Sequence, residues 1–121
     1  MAWIATSQGG DIGVDVEALR VVDDALALAE RNFSAAECAA LASAPPVHRD
    51  LAFLQIWTRK EACLKAIGSG LSIAPETFDV GLRPDTCVTR IATPGGVVSV
   101  KVHTLTRAPG TIGALAQVLR A

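Results

Sequence analysis

Between Pro45-Pro46 and Gly68-Ser69-Gly70 runs a stretch, His48 to Ile67, with neither glycine nor proline in it. A double proline stops a helix, and a Gly-Ser-Gly run ends one. The stretch between them therefore reads as one long helix. In a chain of 121 residues such a helix has to be central, with the other elements arranged around it. The same prolines stop a shorter helix on their other side. Ser34 followed by Glu37 fits a capping box that starts it, and it runs through Ala44. Val21 to Arg31, with Leu26 and Leu28 among many alanines, reads as a further helix.

Strand patterns flank the helices. Trp3 to Ser7 reads as a short strand and Gln8-Gly9-Gly10 as a turn after it. Asp11 to Glu17 alternates: Ile12, Val14 and Val16 face one way, Gly13, Asp15 and Glu17 the other. This predicts a half-buried strand hairpinned to the first. Beyond Pro75 the candidates are Phe78 to Leu82, Cys87 to Ile91, Val97 to His103 and Thr111 to Leu119. The order predicts an α+β fold: an antiparallel sheet with helices packed on one face and a long central helix. Residues 1–121 are expected to form one domain.

Composition narrows the function. Eleven basic and 12 acidic residues leave a net charge of −1, so no basic surface invites nucleic acid or a membrane. Aromatic residues are 4% and tyrosine is absent, which argues against a base-stacking platform. No apolar run approaches the roughly 18 residues of a membrane-spanning helix. Met1-Ala2-Trp3 leads at once towards polar residues, so no signal peptide is expected. Cys38, Cys63 and Cys87 are too widely spaced for a zinc site and read as thiols of a reducing compartment. A cytoplasmic protein is the simplest expectation. Alanine is abundant, and a core of such small side chains is expected to bury a face against another copy or another domain.

Two groups of residues could carry chemistry. Asp15 and Glu17 share one side of a strand, about 7 Å apart. Gly13 leaves space on their side. Carboxylates converging on a gap suit a hard cation such as Mg²⁺, though a solvated polar face would look the same. The second group lies on the long helix. At about 100° per residue, Phe53, Leu54, Ile56, Trp57, Cys63, Leu64 and Ile67 form an apolar arc. Gln55, Thr58, Arg59, Ala62 and Ala66 form the outer face. Lys60 and Glu61 fall inside the apolar arc and Lys65 at its edge. Charges on a core-facing stripe are costly unless paired or used. Glu61 and Lys65 could be an ordinary i,i+4 pair, and Lys60 could snorkel. Together the two groups suggest a three-carboxylate metal site with a lysine for a phosphate. The residues alone leave phosphoryl transfer, hydrolysis and transfer of a larger group open.

Other residues read as structural. Ser34 is a helix cap and Trp57 a core residue. His48 is exposed, and His103 lies on the polar face of a strand. Arg20, Arg31 and Arg59 are surface arginines, candidates at most for an acidic partner. Gly68-Ser69-Gly70 is first a helix stop.

Taken in order, these residues resemble the 4′-phosphopantetheinyl transferase superfamily. Ile12-Gly13-Val14-Asp15-Val16-Glu17 is similar to its first motif. Arg31-Asn32-Phe33-Ser34-Ala35-Ala36-Glu37 is similar to its middle motif. Trp57 through Lys65 is similar to its W-x-x-K-E-A-x-x-K motif, with Gly68-Ser69-Gly70-Leu71 following. The tryptophan and the Asp-x-Glu favour the surfactin-synthetase-activating type over the holo-acyl-carrier-protein synthase type.

The resemblance implies an enzyme, built on one lobe of that fold. It would transfer the 4′-phosphopantetheine arm from coenzyme A to a serine of an apo acyl carrier or peptidyl carrier protein. Asp15, Glu17 and Glu61 would hold Mg²⁺. Glu61 would also be the general base. Lys65 would neutralise charge on the pyrophosphate, and Lys60 is a weaker candidate for a coenzyme A contact. Surfactin-type enzymes are pseudodimers about twice this length, with the coenzyme A site between halves. The holo-synthase type has this shorter length and works as a trimer. The resemblance therefore implies either a homo-oligomer or a chain that needs a partner lobe.

Overall fold

A computed structural model describes residues 11–68, 72–81, 85–105 and 108–119. The elements are β1 (Ile12–Ala18), α1 (Ala25–Asn32), α2 (Ala35–Ser43), α3 (Arg49–Ile67), β2 (Cys87–Thr93), β3 (Gly96–Leu105) and β4 (Thr111–Leu119). Single 3₁₀ turns at Pro46–His48 and Pro75–Thr77 join them. The expected α+β architecture is present: a four-stranded antiparallel sheet in the order β1-β4-β3-β2, with α3 packed against β1, β4 and β3. No described helix is long and apolar enough to cross a membrane.

Local chemistry explains the boundaries. Ser34 Oγ accepts the Glu37 N–H at 3.2 Å and Glu37 Oε1 accepts the Ser34 N–H at 2.9 Å, so the expected capping box starts α2. Arg49 reaches back to the carbonyls of Leu41, Ala42 and Ala44 and satisfies the frayed end of that helix. Gly68, at φ 117°, ends α3 in a conformation that suits glycine. The first helix begins at Ala25 rather than Val21, because Asp23-Asp24 forms a turn with Asp24 at φ 55°. Phe78 to Gly81 is not a strand: its carbonyls and amides bond to side chains of α2 and α3 instead. The expected strand at Trp3 to Ser7 and its hairpin lie outside the described residues; the observed partner of β1 is β4.

The core lies between the sheet and α3. Ile91, Val100, Val102, Ile112, Ala114 and Ala116 meet Leu54, Ile56, Ala62, Cys63 and Ala66, all at most 4% exposed. This corrects the helical-wheel expectation. Thr58, Arg59, Ala62 and Ala66 fall on the outer face of the wheel, yet each is fully buried, and Gln55 nearly so. Here α3 is covered by the sheet on one side and by α1, α2 and the 72–81 segment on others, so it has no broad solvent face.

Two charged side chains are consequently interior. Arg59 is not a surface arginine. Its guanidinium donates to the carbonyls of Val80 at 2.7 Å, Val102 at 3.2 Å, Gly81 and Asp85. Burial pulls its pKa down. Lys60 is 1% exposed; it pairs with Glu37 Oε1 at 2.7 Å and donates to the carbonyls of Pro75 and Phe78. Its ammonium lies 4.4 Å from the centre of the Phe78 ring. Glu37 Oε2 accepts the Val80 N–H at 2.8 Å. One buried ion pair thus ties α2, α3 and the 75–80 segment together.

Candidate functional site

The site begins with β1. Its alternation is as expected, but the acidic side, not the Ile12/Val14/Val16 side, faces α3. The space expected beside Gly13 is filled by helix backbone. A Cβ on Gly13 would stand 2.0 Å from the Ala62 carbonyl oxygen. This close approach carries Asp15 to 8% exposure beside the last turns of α3. Asp15 and Glu17 keep the same side of the strand, and α3 presents Glu61 and Lys65 to it.

Asp15, Glu17 and Glu61 line one cleft of about 430 Å³. Phe53, Trp57, Leu28 and Val22 form its apolar wall, and Arg20 stands at its acidic end. Trp57 is half-buried: it stacks on Phe53, centroids 6.2 Å apart, and also faces the cleft. It is therefore a wall of the site as well as a core residue.

Lys65 Nζ donates to Asp15 Oδ1 at 2.9 Å and to the Val14 carbonyl at 3.2 Å. Its side chain is 52% exposed. The i,i+4 pairing with Glu61 is replaced by this cross-element bond. Arg20 holds Glu17 Oε1 at 3.1 Å. Among the described residues, Glu61 forms no such ion pair. Burial, with Asp15 and Glu17 nearby, raises its carboxyl pKa, and Lys65 offsets part of the rise. Glu61 thus lies in the electrostatic neighbourhood of both strand carboxylates.

In this arrangement no three acidic, histidine or cysteine side chains among the described residues stand close enough to enclose a metal ion. Arg20 and Lys65 engage two of the three carboxylates instead. The donor chemistry still fits Mg²⁺. All the donors are hard carboxylate oxygens, and Asp15 Oδ2 is buried without a hydrogen-bond partner among the described residues. Arg20 and Lys65 are themselves about half exposed, and cations so placed exchange partners more readily than buried ones.

The other sequence candidates fall elsewhere. Lys60, expected as a coenzyme A contact, points to the opposite side of α3 into the Glu37 pair and does not join the cleft. His48 is exposed and His103 half-buried on the outer sheet face, both away from the cleft. Arg31 is exposed. Arg20 is the surface arginine expected from the sequence, and it also lines the cleft. Its only sequence signal is its place three residues after Glu17, just past the strand end. All three cysteines are free thiols.

A family model described as the 4′-phosphopantetheinyl transferase superfamily matches residues 11–106. The 4′-phosphopantetheinyl transferase psf-1 of Bacillus pumilus is 38% identical over 74 residues, which are 61% of this chain and 31% of the relative. The 4′-phosphopantetheinyl transferase HetI of Nostoc is 37% identical over 84 residues, 69% of this chain and 35% of its own length. The 4′-phosphopantetheinyl transferase ffp of Bacillus subtilis is 34% identical over 84 residues, 69% of this chain and 37% of its own. The chain spans about a third of the length of these curated relatives. The matched segment holds β1, α3 and the three-carboxylate cleft between them, and the chain belongs to the 4′-phosphopantetheinyl transferase superfamily.

Proposed function

We propose that this chain is a Mg²⁺-dependent 4′-phosphopantetheinyl transferase. It would move the phosphopantetheine arm of coenzyme A onto a serine of an apo acyl or peptidyl carrier protein. The observation that carries this reading is the convergence of Asp15, Glu17 and Glu61 on one cleft, with Lys65 beside them. The family match and the names of the relatives supply the reaction class.

Asp15, Glu17 and Glu61 would hold Mg²⁺, which supplies charge neutralisation on the pyrophosphate. The serine oxygen attacks the phosphorus carrying the pantetheine arm. A bond from that oxygen to phosphorus forms, and the bond to the remaining phosphate breaks. Adenosine 3′,5′-bisphosphate leaves. Glu61, whose carboxyl pKa is raised by burial above the ordinary glutamate value, takes the serine proton directly or through water. Lys65, released from Asp15, places its ammonium where negative charge grows on the leaving phosphate. Phe53 and Trp57 wall the cleft against bulk water.

In this reading a second copy or a partner lobe would complete the coenzyme A site. The sheet face turned away from α3 supports this, since Val88, Val97 and Leu119 on it are exposed. Three free thiols are in keeping with a cytoplasmic setting.

The test is to incubate the protein with coenzyme A, Mg²⁺ and apo carrier proteins of fatty-acid, polyketide and peptide synthesis, then weigh the carriers. A mass gain by one phosphopantetheine arm is expected on at least one. No gain on any of them overturns the reading. One observation favours a second reading: the chain matches only about a third of its relatives. A non-catalytic half that docks a carrier or a missing lobe would be a monomer in sedimentation and bind no coenzyme A.

A further inference from the structure

We infer that Gly13 is the positioning residue of the metal site, setting the distance between the β1 carboxylates and Glu61. The inference rests on the Mg²⁺ reading above.

Strand β1 and helix α3 approach backbone to backbone at Gly13. A Cβ on Gly13 would lie 2.0 Å from the Ala62 carbonyl oxygen, 2.5 Å from the Ala66 amide nitrogen and 2.9 Å from Lys65 Cβ. The two nearest atoms belong to a helix backbone with no rotamer to change, so the strand itself would have to move. Ala62 and Ala66 are both fully buried, and their small side chains keep the helix close. The contact lies among the site residues. Asp15 is two residues along the strand and Glu17 four. Glu61 precedes Ala62, and Lys65 precedes Ala66. A wedge at Gly13 therefore opens the gap that the three carboxylates must span around one ion. Short ion–oxygen distances and near-octahedral demands make Mg²⁺ intolerant of such an opening.

The experiment measures Mn²⁺ binding by electron paramagnetic resonance, on the full chain, with affinity referred to the folded fraction. Wild type binds one Mn²⁺, and Gly13→Ala binds it at least tenfold more weakly. A control variant, Ile91→Ala, empties core volume on β2 at the opposite edge of the sheet and keeps the wild-type affinity. If Gly13→Ala is unfolded in buffer, binding is repeated in trimethylamine N-oxide, which favours the folded chain. A folded Gly13→Ala protein with unchanged affinity overturns the inference. So does a variant that stays unfolded in the osmolyte, which makes Gly13 a determinant of stability and not of site geometry. A wild type that binds no Mn²⁺ overturns the metal reading itself and the role of Gly13 with it. Weakening by Ile91→Ala to the same degree also overturns the inference, because any loss of packing would then suffice.

Discussion

The ammonium of Lys65, near the end of α3, lies 2.9 Å from Asp15 Oδ1 in the middle of β1. The bond joins two motifs that stand 50 residues apart in the chain. In the proposed metal reading, Lys65 would compete with the ion for Asp15 Oδ1. Lys65→Met should cost on the order of 1–3 kcal/mol, since Lys65 is half exposed but the Asp15 carboxylate it leaves unpaired is only 9% exposed. It should tighten Mn²⁺ binding and still abolish transfer. Urea unfolding, metal titration and carrier mass check the three parts together. A variant that transfers at the wild-type rate would remove Lys65 from the mechanism.

Glu61→Gln should abolish transfer without unfolding the chain. The pH dependence of stability carries a second signature. Burial, Asp15 and Glu17 raise the Glu61 carboxyl above the ordinary glutamate value of 4.5 in the folded protein. Between those two values the folded state binds the extra proton. The contribution of this group is therefore fully present below about 4.5 and is lost as pH rises through the raised folded value. Metal-free wild type should lose stability over that window, and Glu61→Gln should not. Denaturation midpoints at a series of pH values measure the difference.

Lys60→Met should act on folding first. It leaves Glu37 as a buried carboxylate without its cation, a change that costs on the order of 3 kcal/mol in comparable sites. Replacing both partners by apolar residues, Glu37→Leu with Lys60→Met, should recover part of that loss. Chemical denaturation of the single and double variants provides the measurement. If Lys60→Met keeps wild-type stability and loses coenzyme A affinity instead, the residue belongs to the site after all.

Cys63 should be inert in the native protein. It is fully buried, and burial pushes its thiol pKa to about 12. Iodoacetamide at mildly alkaline pH should leave it unmodified, while denaturant should expose it to complete alkylation. Peptide mass analysis after each treatment distinguishes the two. Native alkylation at a rate near that of a free thiol would contradict the packing around α3.

Much of the fold is local and was readable from the chain. The Ser34–Glu37 box, the proline stop before α3 and the Gly68 stop after it act within a few residues. The alternation in β1, β3 and β4 is equally local. Asp15, Glu17, Glu61 and Lys65 were also legible, because their spacing places them on common faces of a strand and a helix. Tertiary structure alone decided which faces are covered. A helical wheel assumes one wet side, but α3 is enclosed on several, so Arg59 and Thr58 are interior and Lys60 spends its charge on Glu37. The strand pattern likewise sets sides without saying which one meets the helix. That choice follows from Gly13, whose missing side chain admits the Ala62 backbone and brings the acidic side of β1 against α3. Periodicity is a property of one element, whereas burial is a property of the contacts among several. For that reason the motifs could nominate the carboxylates and Lys65, and only the packing of β1 on α3 showed Arg20 at the cleft and Lys60 away from it.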